Sequence, residues 1–208
     1  MRFAPEGRWF IVGAWLVTAA LAAAGIRIAA AATALLAVWV MWFFRDPERR
    51  WIRGEDLIVA PADGKVVSID EIHESAFLGA MAVRISIFMN VFDCHVNRYP
   101  VSGIIEYRFF NPGKFLNAAG EKASLDNEQS SVGVVNSRGR VLIRQIAGLI
   151  ARRIVTDHPV GTTVTQGERL GMIRFGSRVD TFLPRGVTVL VKVGDTTRVG
   201  VTPVARWN

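Results

Sequence analysis

The sequence predicts a mainly β protein, a compact antiparallel sandwich or flattened barrel preceded by an N-terminal hydrophobic helical hairpin. Three observations lead there. From Trp9 to Phe44 the only charge is Arg27, and Ala, Leu, Val, Trp and Phe dominate the rest. Beyond Arg45 the apolar residues fall into short β-branched runs bounded by turn residues, the pattern of strands. Near the C-terminus, Gly161, Gly167 and Gly171 punctuate such runs at a spacing that suits tight corners in a folded-over β structure.

Gly25-Ile26-Arg27 divides the apolar stretch into Trp9–Gly25 and Ile28–Phe44, each of 17 residues. That is the short end of what spans a bilayer as a helix. A helical hairpin that crosses twice, or dips in and returns, satisfies its backbone internally as lipid demands. Trp9, Trp15, Trp39 and Trp42 offer interfacial anchors. Arg2 and Arg8 precede the first arm, and Arg45, Arg49, Arg50 and Arg53 follow the second, which places both ends on the cytoplasmic side of a cell membrane. A cleaved signal peptide with Ala22-Ala23-Ala24 as its small-residue site is the competing reading. The second apolar run that follows at once argues against it. Residues 1–45 therefore read as a membrane-associating hairpin and 46–208 as a β-rich domain.

The charged junction Arg45-Asp46-Pro47-Glu48 ends the hairpin with a helix breaker. Strands are expected at Leu57–Ala60, Lys65–Ile69, Ala82–Phe88, Gly103–Phe109, Ser131–Val135 and Arg140–Ile146. Asp63-Gly64 and Ser137-Arg138-Gly139 read as hairpin turns. The one short helix expected lies around Ala147–Arg153, and a further apolar run covers Val187–Val191.

The whole chain carries a formal charge of +7, and beyond Arg45 there are 21 Lys and Arg against 17 Asp and Glu. A modestly basic body beside an anionic leaflet favours acidic lipid head groups. The basic residues are scattered and no nucleic-acid motif accompanies them, so nucleic acid is not an expected partner. A single cysteine, Cys94, excludes an internal disulfide and fits a reducing compartment. With only His73, His95 and His158 and no cysteine pair, no metal site is expected.

Three short stretches could carry chemistry. In Phe175-Gly176-Ser177-Arg178 a serine follows a glycine. Its common role is a turn between strands. Its chemical role needs a hard backbone bend, which Gly176 permits, so that the Ser177 hydroxyl can attack the carbonyl before it. The resulting ester can eliminate to leave a new N-terminal carbonyl group. In Pro61-Ala62-Asp63-Gly64 a carboxylate sits on a tight turn, where it either serves the turn alone or orients a histidine. In Asp93-Cys94-His95-Val96-Asn97-Arg98 the histidine is a candidate general base for Ser177 and a later proton donor, or an ordinary structural residue. Cys94 reads as a small buried apolar group.

These stretches, with Gly113-Lys114-Phe115 and Asn127-Glu128 between them, occur in an order that resembles the phosphatidylserine decarboxylase proenzymes of the short bacterial and archaeal type. The resemblance covers nearly all of the chain from about Arg45. It implies self-cleavage between Gly176 and Ser177 into a β chain, 1–176, and an α chain, 177–208, that stay together as a heterodimer. It implies that Ser177 becomes a covalent pyruvoyl group, the only cofactor required. That group forms a Schiff base with phosphatidylserine and, as electron sink, lets CO2 depart to leave phosphatidylethanolamine. Ser177, His95 and Asp63 are then the catalytic candidates, with Arg98 and Lys114 as candidates for the lipid phosphate.

Two departures qualify the resemblance. Longer relatives carry Leu-Gly-Ser-Thr at the cleavage point, where this chain has Phe175-Gly176-Ser177-Arg178. They also carry two histidines three apart, of which the second falls here on Arg98, so the partner of Asp63 stays open. A membrane-anchored carrier of the folded-over β-sandwich type is the alternative, with Lys65 as its modified residue. The sequence leaves homo-oligomerisation open.

Overall fold

The computed structural model describes residues 2–49, 54–113, 127–148, 153–174 and 177–208. The chain divides into two compact units, 1–48 and 49–208.

In the first unit a two-residue strand, β1 (Arg2–Phe3), leads through a 3₁₀ turn at Pro5–Gly7 into α1 (Arg8–Ala23). Then α2 (Arg27–Phe43) runs back to β2 (Arg45–Asp46), which pairs antiparallel with β1. Gly25, at φ +75°, makes the reversal between the helices. The open end is closed by packing: Phe43 and Phe44 are fully buried, Phe10 stacks on Phe44 at 5.5 Å, and Arg45 lies over the Trp42 ring at 4.1 Å. Elsewhere Trp9, Leu16, Ile28 and Leu35 are exposed, so much of the hairpin's apolar surface has no cover within the unit. With 16 and 17 residues the helices are about 24–26 Å long, short of the ~30 Å hydrocarbon core. No helix among the described residues is long and apolar enough to cross a membrane.

The second unit is antiparallel β in every described pairing, and its elements follow in order: β3 (Leu57–Val59), β4 (Gly64–Glu74), β5 (Ala80–Met89), β6 (Val96–Arg98) and β7 (Gly103–Asn111). After them come β8 (Gln129–Asn136), β9 (Gly139–Ala147), β10 (Ile154–Thr156), β11 (Thr163–Val164) and β12 (Arg169–Ile173). The last are β13 (Ser177–Pro184), β14 (Thr188–Val189), β15 (Thr196–Thr197) and β16 (Pro203–Arg206). Eight strands form one curled sheet in the order β11-β7-β8-β9-β13-β5-β4-β15. Two three-stranded sheets, β10-β12-β6 and β14-β16-β3, complete the unit. Register slips between Val66 and Ser68 and between Ile105 and Tyr107 bend the large sheet, as bulges do.

One face of the large sheet contributes Ile85, Ile87, Met89, Val132, Val134, Ile143, Val179 and Leu183 to the main core. They meet Ile58, Leu170, Ile173 and Val204 from the small sheets and Tyr99 just after β6, giving the predicted β sandwich. Burying each large aliphatic side chain contributes about 1.5–3 kcal/mol, so this interface is the main source of stability. The opposite face holds a smaller cluster of Ala82, Leu142 and Phe182.

The structure corrects two local expectations. Asp63-Gly64 is not a hairpin turn: β3 pairs with β16, whereas β4 pairs with β5 and β15, so the chain turns a corner from one sheet to another. The serine of the Gly-Ser pair is not in a turn but begins β13. Of the expected helix, Ala147 ends β9, and residues 149–152 lie outside the described residues. Ser137-Arg138 does form the β8–β9 hairpin turn, closed by the Asn136–Gly139 pair.

Candidate active site

Ser177 stands at the head of β13, in the interior of the large sheet, opposite Met89 on β5 and Ala147 on β9. Directly paired residues share a sheet face, so Ser177, Met89 and Ala147 all point into the main core. Ser177 is fully buried, and its Oγ makes no hydrogen bond to the described residues. A buried hydroxyl without a partner costs stability, a cost that Ser86 and Thr181 in the same sheet share.

His95 comes from the loop that leaves β5 just beyond Met89. The loop is tightened by Asn90 and Asp93, whose side chains accept the Phe92 and Asn90 N–H groups at 2.8 Å. The His95 Nδ1 lies 3.1 Å from the Asp93 carbonyl oxygen. A carbonyl can only accept, so Nδ1 carries a proton, and in the neutral form of the ring the lone pair then lies at Nε2. The His95 carbonyl accepts the Ile173 N–H at 3.4 Å, continuing the β6–β12 ladder. The buried ring is thereby tied to the strand that runs toward Ser177.

Asp63 ends the corner between β3 and β4. Arg49 Nη1 and Nη2 donate to its two oxygens, the second at 2.7 Å, and the Val199 N–H donates to Oδ1 at 2.8 Å. The Pro61 carbonyl accepts the Arg98 N–H at 3.0 Å, and the Ala62 carbonyl accepts the Thr197 hydroxyl at 3.0 Å. Gly64 is required next: its φ is +142°, and a Cβ there would collide with the Phe88 carbonyl oxygen. Since Lys65 pairs with Phe88 and Ser177 with Met89, Asp63 belongs to the same end of the sheet as Ser177, two strands or roughly 10 Å away. No hydrogen bond joins Ser177 to Asp63 or to His95. Three buried candidates thus share one end of the sheet without forming a bonded triad.

The Arg98 guanidinium donates to the Gly167 carbonyl at 3.1 Å. Lys114 and Gly176 lie outside the described residues. Lys65 is the second residue of β4 and pairs on both sides, with Phe88 and Thr196, so it is not at a hairpin tip as a carrier lysine would be. No group of His, Cys, Asp and Glu able to hold a metal occurs among the described residues. A cavity of about 260 Å³ lined by Ser102, Asn136, Arg138 and Trp207 opens at the opposite end of the sheet, by the β8–β9 turn.

The family model for phosphatidylserine decarboxylase matches residues 36–205, a span that takes in Asp63, His95 and Ser177. The chain belongs to the phosphatidylserine decarboxylase family. It is 47% identical over 204 residues to the phosphatidylserine decarboxylase proenzyme of Symbiobacterium thermophilum, covering 98% of this chain and 94% of that one. It is 53% identical over 175 residues to the proenzyme of Nitrobacter winogradskyi, covering 82% of this chain and 71% of that one. For the proenzyme of Cereibacter sphaeroides the identity is 49% over 175 residues, covering 82% and 75%.

Sequence reasoning missed several groups around this decarboxylase-family site. Arg49 was read only as membrane-flanking charge, since nothing local links it to a carboxylate 14 residues on. A buried polar chain runs beneath Ser177's neighbours. Asn97 Nδ2 contacts Met89 Sδ at 3.6 Å, and Gln145 Nε2 donates to Asn97 Oδ1 at 2.8 Å. Thr156 Oγ1 in turn donates to Gln145 Oε1 at 3.0 Å and shares a 2.7 Å bond with Ser130. Gln145 lies on the core-facing side of β9, two residues from Ala147, and that polar interruption of an apolar strand was the available signal. On the opposite face Arg178 and Asp180 form a buried ion pair at 2.8 Å, one residue beyond Ser177. Nearby, burial pulls the Arg144 guanidinium below its usual value, against the opposing pull of Asp180 and Glu74.

Proposed function

We propose that the chain is a self-cleaving, membrane-associated decarboxylase that converts phosphatidylserine to phosphatidylethanolamine. The observation that carries this reading is the fully buried Ser177 Oγ, unengaged by the described residues, at the sheet end that also holds buried His95 and Asp63. Ser86 Oγ and Thr181 Oγ1 are also buried without a bond, so what sets Ser177 apart is its place after Gly176 at this end of the sheet, which fits the family's proenzyme chemistry.

In the proposed cleavage the Ser177 Oγ bonds to the Gly176 carbonyl carbon as the Gly176–Ser177 amide breaks, and the hydroxyl proton passes to a base. Loss of the Ser177 α-proton then expels the Gly176 carboxylate, and hydrolysis releases ammonia to leave a pyruvoyl group on the α chain. Asp63 is the candidate to direct the group that takes the hydroxyl proton. The pyruvoyl group supplies a carbonyl that takes the substrate's amine and accepts the electrons left as CO2 departs. His95, with its lone pair at Nε2, is suited to hold and return a proton at the substrate's α-carbon. Arg98 and Lys114 are the candidates for the lipid phosphate.

The first unit is proposed as the membrane attachment. Its exposed apolar helices and basic flanks favour insertion into the near leaflet from the cytoplasmic side, and their length favours dipping in and returning over crossing. A substrate with two acyl chains stays in the bilayer, so the reactive group must be held beside it.

Intact-mass analysis of the purified protein tests the reading. The expected result is two chains, the smaller beginning at residue 177 with a blocked N-terminus, and a Ser177→Ala protein that stays full-length and inactive. An active Ser177→Ala enzyme would refute it.

A further inference from the structure

We infer that the Ser177 end of the large sheet carries its own bilayer-contacting rim, built from Phe92, Phe109 and Phe110. The chemistry of the ligand rests on the decarboxylase reading; the position of the rim rests on strand register alone. Ser177 pairs with Ala147, the Ala147 N–H donates to the Glu128 carbonyl, and the neighbouring Gln129 pairs with Asn111. The last residues of β7 therefore lie at the same end of the sheet as Ser177, three strands or roughly 15 Å across. From the other side, β5 ends at Met89 beside Ser177, and the loop beyond it projects Phe92 before returning at His95.

These side chains are unusually open for large aromatics. Phe92 is 64% exposed, Phe109 54% and Phe110 52%. Being consecutive on a strand, Phe109 and Phe110 point to opposite faces, so neither layer of the sandwich covers both. Among the described residues, strand β11 pairs only with Gly103 and Ile104, which leaves the C-terminal half of β7 on the edge of the described sheet. Exposed edges are usually blunted by charge or proline, and here two adjacent phenylalanines occupy the edge instead.

The charge at this end complements an anionic lipid surface. Arg108 lies between the rim and β10, with its guanidinium bonded to the Thr156 and His158 carbonyls. Arg153 is exposed at the start of β10, and its carbonyl accepts the N–H of Arg174, three residues before Ser177. The described acids there are Asp63, held by Arg49, Asp93, whose carboxylate accepts the Asn90 N–H, Glu128 and, beside Arg108, Asp157, which pairs with Arg169. Aromatic rings flanked by arginines are what an interface between head groups and acyl chains accommodates. A two-chain phospholipid must bring its head group to a buried serine, and this rim sits at the end where that serine is.

The test uses the full-length processed protein with a thiol-reactive, polarity-sensitive dye placed by Phe110→Cys, or by Phe92→Cys, and by Ser137→Cys at the opposite end of the sheet. Cys94 is buried, and a Cys94→Ser background removes it. With vesicles of phosphatidylcholine and phosphatidylglycerol, which contain no substrate, the dyes at 92 and 110 should shift to the blue and be quenched by spin-labelled acyl chains. The dye at 137 should do neither. Equal behaviour at 110 and 137, or a blue shift at 110 before vesicles are added, overturns the inference; the latter would point to a protein partner. Independently, Phe109→Ser with Phe110→Ser should raise the KM for vesicle-borne phosphatidylserine roughly tenfold while kcat stays within about twofold. An unchanged KM would equally overturn it. If the unsubstituted protein released no CO2, the decarboxylase reading would fail, and the dye measurements would still decide the rim.

Discussion

Arg49 holds Asp63 by both carboxylate oxygens, with the Val199 N–H completing a three-donor cradle. The position that the resemblance matches to a histidine of longer relatives is Arg98 here, and its guanidinium donates to the Gly167 carbonyl. The side chain that Asp63 meets is an arginine from the segment just after the helical hairpin. A carboxylate held in this way is rigid and acceptor-only, suited to fixing its surroundings.

Replacing Arg49 by Ala should destabilise the protein by about 1–3 kcal/mol, because Asp63 would keep only the backbone donor in a mostly buried setting. Arg49→Lys should recover a minor part, since a point charge cannot reproduce two parallel bonds. Urea denaturation of uncleaved Ser177→Ala protein, with and without each change, isolates folding from processing. A midpoint unmoved by Arg49→Ala would show that the pair adds nothing.

Most of the large sheet was legible because half-buried antiparallel strands advertise themselves by β-branched runs and turn residues. Ala82–Phe88 was expected and Ala80–Met89 found; Arg140–Ile146 was expected and Gly139–Ala147 found. Strand β13 was missed: Arg178, Asp180 and Thr181 look like surface residues, but each is buried, the first two by pairing with one another. Asp63-Gly64 misled for a related reason, since a local turn signal says nothing about which sheet receives the next strand. At the site, Ser177, His95 and Asp63 could be named from ordered motifs. Arg49 could not, and the Asn97–Gln145 chain was signalled only by a polar Gln145 in an apolar strand, because contacts between residues 14 and 48 apart leave no local trace of the partner.

Tyr99 gives the fold an alkaline limit. Burial, reinforced by Asp157 and Glu168, pushes its phenol well above the usual 10.0. Above pH 10 the unfolded chain therefore loses this proton while the folded chain keeps it. Stability is complete below that pH and declines above it, by about 1.4 kcal/mol per pH unit for this one group. Tyr99→Phe should flatten that decline, while at neutral pH it loses only the 3.3 Å bond to His158. Denaturation midpoints measured between pH 8 and pH 11 check this. Parallel curves for the two proteins would remove Tyr99 as the cause.

Deleting residues 1–44 should move the protein from the membrane to the soluble fraction, because that segment holds the largest stretch of exposed apolar surface. Turnover of a short-chain, water-soluble substrate should persist. A truncated protein that still pellets with membranes in high salt would place the main anchor elsewhere, since salt screens purely electrostatic attachment.

The last prediction separates the two jobs assigned to the buried polar groups. Removal of CO2 leaves a carbanion-like centre that must be reprotonated, and an imidazole with its lone pair at Nε2 can take up a proton and return it there. His95→Ala should therefore lower CO2 release by about 10²–10⁴, the usual share of a positioned acid or base. Asp63 has no hydrogen bond to Ser177, so the role proposed for it in cleavage requires another group or a water molecule between them. Asp63→Ala should accordingly slow the appearance of the two chains, whereas His95→Ala is expected to be processed. A gel for processing beside a CO2-release assay reads both proteins. Fully processed His95→Ala with normal decarboxylation would exclude His95 from the reaction. Failure of His95→Ala to process would instead place the imidazole in the cleavage step, with Asp63 acting through it.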